Sequence, residues 1–320
     1  VRSGASVASS LQRGIVKSAA SVSKVDVDGT GHGNVSPVTV ADFAVQALIL
    51  SSLAQVFPDD RFIAEESSRE LLAAGRGTCD AVMDALSAQG VEMDEQSALA
   101  SLDLGTTGAE NEWSSQGRTW VLDPIDGTKG YLRGDQYAIA LSLLEGGQPK
   151  IGILGCPNYG DGGTMYWAER GIGAFQCKLD DVMEALGEQL QVAVPKNLRS
   201  GIVRCEAYEA GHSDQTRASN AATALGISAA PIRIDGQGKY GLLASGEAHA
   251  YTRLPRPGYV ENIWDHAAGV ILVEEAGGRV SDTAGRPLDF SLGAKLSAEV
   301  TGIVATNGEC HEELLAALNA

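Results

Sequence analysis

Two aspartates and a threonine fall within six residues at Asp123-Pro124-Ile125-Asp126-Gly127-Thr128. The proline and glycine force a turn, and the apolar Trp120-Val121-Leu122 before it reads as a buried strand. Both carboxylates therefore leave the end of one strand together. Like charges this close repel unless something positive sits between them. A hard divalent cation with oxygen ligands, Mg²⁺ above all, suits the pair. Asp-Pro and Asp-Gly are also ordinary turn formers, so the turn alone leaves both readings open. Three further acidic positions share its character. Asp42 opens a helix, Glu65-Glu66 closes a strand, and Asp265 opens a helix after an aromatic residue. All lie at element ends, where side chains from distant parts of a chain can converge.

Those acids need elements to hold them. Residues 5–24 are predicted as a helix with Val7, Leu11, Ile15 and Val22 on or near one face. The same acid-free stretch also has the composition of a transit peptide. A loop from Asp26 to Gly33 follows, then a second helix behind Asp42 with Phe43, Ala47, Leu48, Leu50 and Leu53 as its apolar face. Phe62-Ile63-Ala64 is a short strand. Residues 75–118 are polar and Gly/Ser-rich between two short helices, and are expected to form a surface excursion or lid. Tyr137–Leu144 and Lys150–Cys156 form a hairpin about Glu145-Gly146-Gly147-Gln148, and 165–168 and 173–175 continue its sheet. Beyond Ile202-Val203 the chain alternates: helix 214–225, strand 232–234, helix 239–246, strand 248–251, helix 264–275. Gly277-Gly278 stops that last helix. Strands at 279–281 and 302–305 and a helix at 309–318 complete the chain. The expectation is an α/β (α+β) protein of two domains: 1–190, with an antiparallel sheet and most of the acids, and 191–320, an α/β unit carrying Asp265.

Composition narrows the partners. The 320 residues carry 24 Lys plus Arg against 41 Asp plus Glu, a net charge of −17. That balance argues against a nucleic-acid polymer or an anionic membrane. An anionic small molecule would need local positive charge, which metal ions can supply. Five cysteines without ligand-like spacing read as reduced thiols. They place the chain in the cytoplasm, or in a plastid or mitochondrion if an upstream transit peptide was removed. No run approaches the length of a membrane helix. A monomer is expected. An up-and-back path could bring Cys156 and Cys177 within disulfide range; two reduced, partly buried thiols are the alternative.

Longer segments carry a resemblance. They are SPVTVAD (36–42), FPDDRFIAEESS (57–68), WVLDPIDGTKGYLRGDQYAIALSLLEGG (120–147), IGILGCPN (151–158), GHSDQT (211–216), DGQGKYGLLASGEAHAYTRLP (235–255) and NIWDHAAGVILVEEAGG (262–278). Together they resemble the Mg²⁺-dependent, lithium-sensitive phosphomonoesterases, which include inositol monophosphatase and fructose-1,6-bisphosphatase. Lys-Gly after the acidic turn is similar to the 3′(2′),5′-bisphosphate nucleotidase branch. The resemblance implies a layered α-β-α-β-α sandwich and two to three Mg²⁺ ions. Glu65, Asp123 and the Ile125 carbonyl would hold one ion; Asp123, Asp126 and Asp265 a second; Asp42 and Glu65 a looser third. Asp42 with Thr128 would position and deprotonate the attacking water. His212, Lys239 and Arg253 would contact the nucleotide and its phosphates. Gly236 stands where the family commonly has serine, and implies the loss of a hydroxyl contact that a backbone amide partly replaces. NVSP lacks the lysine often found before Ser-Pro, and 75–118 has no counterpart.

The implied activity is hydrolysis of the 3′-phosphate of adenosine 3′,5′-bisphosphate to AMP, with 3′-phosphoadenosine 5′-phosphosulfate as a second substrate. Two alternatives stand beside it. An inositol phosphate phosphatase, acting on a substrate such as inositol 1,4-bisphosphate, would share the metal chemistry. A non-catalytic nucleotide-binding regulator would have lost a metal ligand or the Asp42/Thr128 pair.

Overall fold

The computed structural model describes residues 1–15, 22–27, 33–106, 117–179, 187–196, 200–209 and 213–320. Among them the strands are β1 (Val22–Val27), β2 (Gly33–Val38), β3 (Arg61–Ala64), β4 (Arg118–Asp126), β5 (Ala138–Glu145), β6 (Gln148–Cys156) and β7 (Thr164–Glu169). They continue with β8 (Gly173–Lys178), β9 (Glu188–Gln189), β10 (Arg204–Glu206), β11 (Ile232–Arg233), β12 (Ala250–Arg253), β13 (Arg279–Asp282) and β14 (Ile303–Thr306). The helices are α1 (Arg2–Ile15), α2 (Val40–Val56), α3 (Ser68–Ala74), α4 (Arg76–Ala88), α5 (Glu95–Leu104) and α6 (Thr128–Arg133). After them come α7 (Gln215–Ala224), α8 (Gly238–Ala244), α9 (Ala267–Glu275) and α10 (His311–Leu318).

Strands β3 to β9 form one sheet in chain order, with β3 parallel to β4 and the rest antiparallel. A second sheet runs β11-β10-β12-β14-β13. Period-two alternation sorts their side chains into three cores. Trp120, Leu122, Ile139, Leu141 and Met165 face α1, α2, α4 and α5. Val121, Ala140, Leu154 and Tyr166 face the other way, onto α8 and α9, whose far side meets Tyr251, Ile303 and Ala305 of the second sheet. Ala250 and Val304 turn outward onto α7 and α10. The layers therefore run α-β-α-β-α, as the family resemblance implies.

Three expectations change. The first helix is described over Arg2–Ile15, and residues 22–24 belong to β1, which pairs antiparallel with β2; of the expected 26–33 loop, Asp26, Val27 and Gly33 are strand ends, and 16–21 and 28–32 lie outside the described residues. Val25-Asp26-Val27 has strand alternation that a helical reading passes over. Within 75–118, α4 and α5 form a packed layer rather than a lid: Cys79, Val82, Leu86, Ala98 and Leu102 are buried against α2. Helix α2 is apolar on all sides, with every residue from Ala41 to Leu50 buried, so it needs a cover on its outer side. Last, Cys156 and Cys177 do not pair. Cys156 lies opposite Thr164 on β7, and Cys177 on β8 lies opposite Met165. A whole strand separates them, roughly 10 Å at about 4.8 Å per strand, beyond disulfide reach. All five cysteines are free thiols. No helix among the described residues is long and apolar enough to cross a membrane.

Candidate active site

The acids converge because of register. Strands β3 and β4 run parallel, with Ala64 beside Leu122, so the next residues, Glu65 and Asp123, follow side by side where β3 ends. In a regular strand Asp123 and Asp126 would point to opposite faces. Between them the pairing with β5 shifts, from Asp123 opposite Ala140 to Asp126 opposite Ala138. Three steps on β4 answer two on β5. The extra residue is a bulge, and it returns Asp126 to the face of Asp123. Asp265 arrives from the other side, in a 3-10 turn, Ile263–Asp265, that leads into α9. Asp123, Asp126 and Asp265 thereby each offer a carboxylate oxygen within 4.8 Å of the others.

Two neighbouring devices fix the remaining acids. Thr39 and Asp42 form a capping box at the start of α2, where Asp42 Oδ2 accepts from the Thr39 amide (2.8 Å) and hydroxyl (2.6 Å). The buried Gln46 on α2 grips the residue after Glu65: its amide donates to the Glu66 carbonyl (2.6 Å), and the Glu66 amide donates to Gln46 Oε1 (2.9 Å). That clamp holds the end of β3 and was not legible as a functional feature. Thr128 Oγ1 donates to the Ile125 carbonyl (3.1 Å). Thr128 and Asp42 thus each have a partner other than one another.

The electrostatics of the cluster suit a cation. Burial first, and then the charges of Glu65, Asp126 and Asp265, push the Asp123 carboxyl well above its ordinary range. Burial and the charges of Asp126, Glu261 and Glu65 do the same for Asp265. Burial, partly offset by the Thr39 hydrogen bond and reinforced by Glu65, raises Asp42 to about 7. Burial raises Asp126, opposed by Lys239, His266 and Arg253. Among the described residues, no ion pair neutralises Asp123, Asp126 or Asp265. Two ligands on opposite sides of one Mg²⁺ would lie about 4.2 Å apart. The oxygen spacing, the all-oxygen donor set and the unneutralised burial therefore fit hard divalent ions.

A cavity opens from these acids to a basic wall built by α8 and the second sheet; its lining includes Glu65, Asp123, Asp126, Thr128, Gly236, Lys239, Arg253 and Asp265. Lys239 and Arg253 reach it but are already engaged. Lys239 Nζ donates to the carbonyls of Gly236 (2.6 Å) and Ile234 (3.2 Å), and burial lowers its pKa. Arg253 forks onto Glu261, with Nε to Oε1 at 2.8 Å and an Nη to Oε2 at 3.3 Å. Glu261 is fully buried. Although burial opposes ionisation, Arg253 and His266 bring its pKa down to about 2. His266 continues the chain, with Nε2 3.3 Å from Glu261 and Nδ1 2.9 Å from the Tyr240 hydroxyl. Glu261, His266 and Tyr240 were missed at the sequence level, although His266 stands in the NIWDHAAG segment. Gln237 was missed as well. It donates to the Trp264 carbonyl (2.8 Å), accepts from the Gly269 amide (3.2 Å) and hydrogen-bonds Asp126, tying the start of α9 to the acidic turn.

Gly236, a substrate contact by resemblance, also has a structural role. Its φ is +66°, and a Cβ there would lie 2.3 Å from the Asp126 carbonyl oxygen. Opposite it, a Cβ on Gly127 would lie 2.9 Å from the Gly236 amide nitrogen. The two backbones touch because neither residue carries a side chain. Gly236 is thus a seat for the acidic turn, and a serine hydroxyl has no room in this packing. His212 lies outside the described residues.

The sequence pattern of the inositol monophosphatase family matches residues 2–320. A rice protein named 3′(2′),5′-bisphosphate nucleotidase is 38% identical over 309 residues, covering 88% of this chain and 84% of that protein. A Schizosaccharomyces pombe protein of the same name is 38% identical over 307 residues, 89% and 84% of the two chains. An Arabidopsis thaliana 3′,5′-bisphosphate nucleotidase is 36% identical over 323 residues, 89% and 86% of the two. Among solved structures, the Thermotoga maritima IMPase superposes with a TM-score of 0.63 at 20% identity, covering all of this chain and 93% of the other. The SuhB extragenic suppressor protein of Bartonella henselae gives 0.63 at 20%, covering 98% and 93%. These two likenesses concern the fold.

Proposed function

Because the chain belongs to the inositol monophosphatase family, we propose that it is a Mg²⁺-dependent phosphatase that removes the 3′-phosphate of adenosine 3′,5′-bisphosphate, leaving AMP. 3′-Phosphoadenosine 5′-phosphosulfate is its second substrate. The observation that carries this reading is the cavity itself, which joins the clustered acids Glu65, Asp123, Asp126 and Asp265 to a basic wall in a chain whose relatives are named bisphosphate nucleotidases.

Glu65, Asp123, the Ile125 carbonyl, Asp126 and Asp265 would hold two Mg²⁺ ions, and Asp42 with Glu65 a third. Bound there, the ions would neutralise the cluster and supply the Lewis acidity that phosphoryl transfer to water requires. The residues of the chain do the rest. Asp42, fixed by its capping box, takes the proton of the attacking water, and Thr128 orients that water. Gly236 seats the turn, so that Asp123 and Asp126 keep their spacing. Lys239 and Arg253 shape and charge the wall that the nucleotide faces, with His212 as a further contact. The working unit in this reading is a monomer, with a boundary near residue 190 between the two halves that build the cavity.

The test is phosphate release by the purified protein with Mg²⁺, with and without Li⁺. Adenosine 3′,5′-bisphosphate, inositol 1,4-bisphosphate, inositol 1-phosphate and fructose 1,6-bisphosphate are compared. The nucleotide should give the highest kcat/KM, and Li⁺ should inhibit. An equal or higher kcat/KM for inositol 1,4-bisphosphate would replace the nucleotide reading with an inositol one.

A further inference from the structure

A bisphosphorylated substrate has one phosphate at the acids and a second that the metal site does not reach. The basic residues expected to read that second phosphate already have partners within the chain. Lys239 holds two loop carbonyls, Arg253 is forked onto Glu261, and Lys129 also has a partner. One arginine lining the same cavity is different. Arg256 is exposed, and its side chain makes no hydrogen bond or ion pair with any described residue.

Its presentation is built in. Arg256-Pro257-Gly258-Tyr259 closes a turn in which the Tyr259 amide donates to the Arg256 carbonyl (3.1 Å). Proline occupies the second position and glycine, with φ +85°, the third, the signature of a type II turn. The turn's ends lie close together, and both Arg256 and Tyr259 line the cavity. The strand before it, β12, is tied down beyond Arg253, where the Leu254 amide donates to Ser213 Oγ (2.9 Å) and the Asp214 amide to the Leu254 carbonyl (2.8 Å). Arg256 is therefore carried on a hydrogen-bonded turn at the cavity mouth, in a protein whose net charge of −17 would otherwise repel an anion.

We propose that Arg256, on the 256–259 turn with Tyr259 as its neighbouring wall, is the group that binds the metal-remote phosphate and so sets the preference for bisphosphorylated over monophosphorylated nucleotides. This rests on the reading of the chain as a bisphosphate nucleotidase. Arg253 and Glu261 are then positioning residues behind it. A planar guanidinium free to pair with phosphate oxygens suits the task.

The experiment compares adenosine 3′,5′-bisphosphate with adenosine 3′-monophosphate, which differ only in the remote phosphate, at saturating Mg²⁺. Arg256→Ala should raise KM for the bisphosphate about tenfold or more, with kcat within about twofold, and leave both constants for the monophosphate unchanged. Arg256→Lys should keep part of the discrimination. Gly258→Ala, which strains the turn at a positive φ, should shift the same KM in the same direction by less. If the wild type prefers the bisphosphate and Arg256→Ala keeps that preference, the assignment of Arg256 fails and the nucleotidase reading stands. Equal losses on both substrates also overturn it. If the wild type shows no preference, the nucleotidase reading fails and the inference goes with it.

Discussion

Asp123, Asp126 and Asp265 on one wall of the cavity and Arg253, Lys239 and Glu261 on the other are all buried or nearly so, yet they handle charge in opposite ways. On the acidic wall, like charges meet within 4.8 Å and burial with mutual repulsion drives their pKa values up. On the basic wall each charge has a partner: Arg253 and His266 flank Glu261, and two carbonyls hold Lys239. Taking a charge out of water is costly unless a partner replaces the lost hydration. The basic wall meets that demand from within the chain. The acidic wall has hydrogen bonds but no ion-pair partner among the described residues, so it is the place where an external cation gains most by binding. The contrast separates residues that hold a ligand from residues that hold other residues.

The largest effect should come from the acidic wall. Asp123→Asn removes the carboxylate common to both proposed ions, and kcat/KM should fall on the order of 10⁴-fold, the scale seen when one member of a catalytic unit is lost. The same change relieves repulsion when no ion is bound. In chelator the variant should therefore melt at a higher temperature than the wild type, and Mg²⁺ should stabilise it less. Thermal melts in EDTA and in Mg²⁺ check both halves. A variant less stable than wild type in EDTA would mean that the cluster is not strained in the way described.

The basic wall should respond with the opposite sign. Glu261→Gln leaves Arg253 buried beside an uncharged amide. Breaking a buried pair by removing one partner costs about 3 kcal/mol or more. The loss should appear equally in EDTA and in Mg²⁺, because the pair is internal to the chain. Arg253, no longer held, should also raise KM for the nucleotide. If Glu261→Gln were neutral or stabilising in chelator, the two walls would not differ, and the distinction between ligand-holding and residue-holding charges would be lost.

The two walls also differ in how far the sequence discloses them. The acidic turn is local: Asp-Pro-Ile-Asp-Gly-Thr places its own carboxylates, and the strand before it is plain from Trp120-Val121-Leu122. What brings Glu65 beside Asp123 is a parallel register between strands separated by the α3–α5 layer, and no spacing in the sequence encodes that. The basic wall is harder. Lys239 and Arg253 are visible as cations, but whether a cation faces solvent, a carbonyl or a carboxylate depends on contacts such as that of Glu261, eight residues after Arg253. Gly236 looks like the loss of a hydroxyl until its approach to the Asp126 carbonyl is seen. The layered order was legible from alternating elements and from the resemblance. The α4–α5 cover was misread because its composition is polar, although a second helix apolar on every side implied that something must pack over it.

The smallest effect concerns a buried titratable group away from both walls, and it tests whether the strain is special to the acids. His311 is fully buried at the start of α10. Its Nε2 lies 2.8 Å from the Ser281 hydroxyl and its Nδ1 2.9 Å from that of Thr306; Arg279 and Glu312 are the charged groups that act on it. Burial, assisted by Arg279, lowers its pKa from 6.5 to about 4. The unfolded chain therefore takes up this proton first as pH falls. The contribution of His311 to stability is complete above about 6.5 and is lost progressively between 6.5 and 4. The acids of the metal site run the other way. Their folded pKa values lie above the unfolded ones, so in chelator acidification relieves them and adds stability. Melting temperatures in EDTA from pH 7.5 to 5 should separate the two. His311→Gln should flatten the acid-side fall, and Asp123→Asn should steepen it by removing the compensating gain. A His311→Gln profile parallel to the wild type would show that this histidine is no more reluctant to take a proton in the fold than in the unfolded chain.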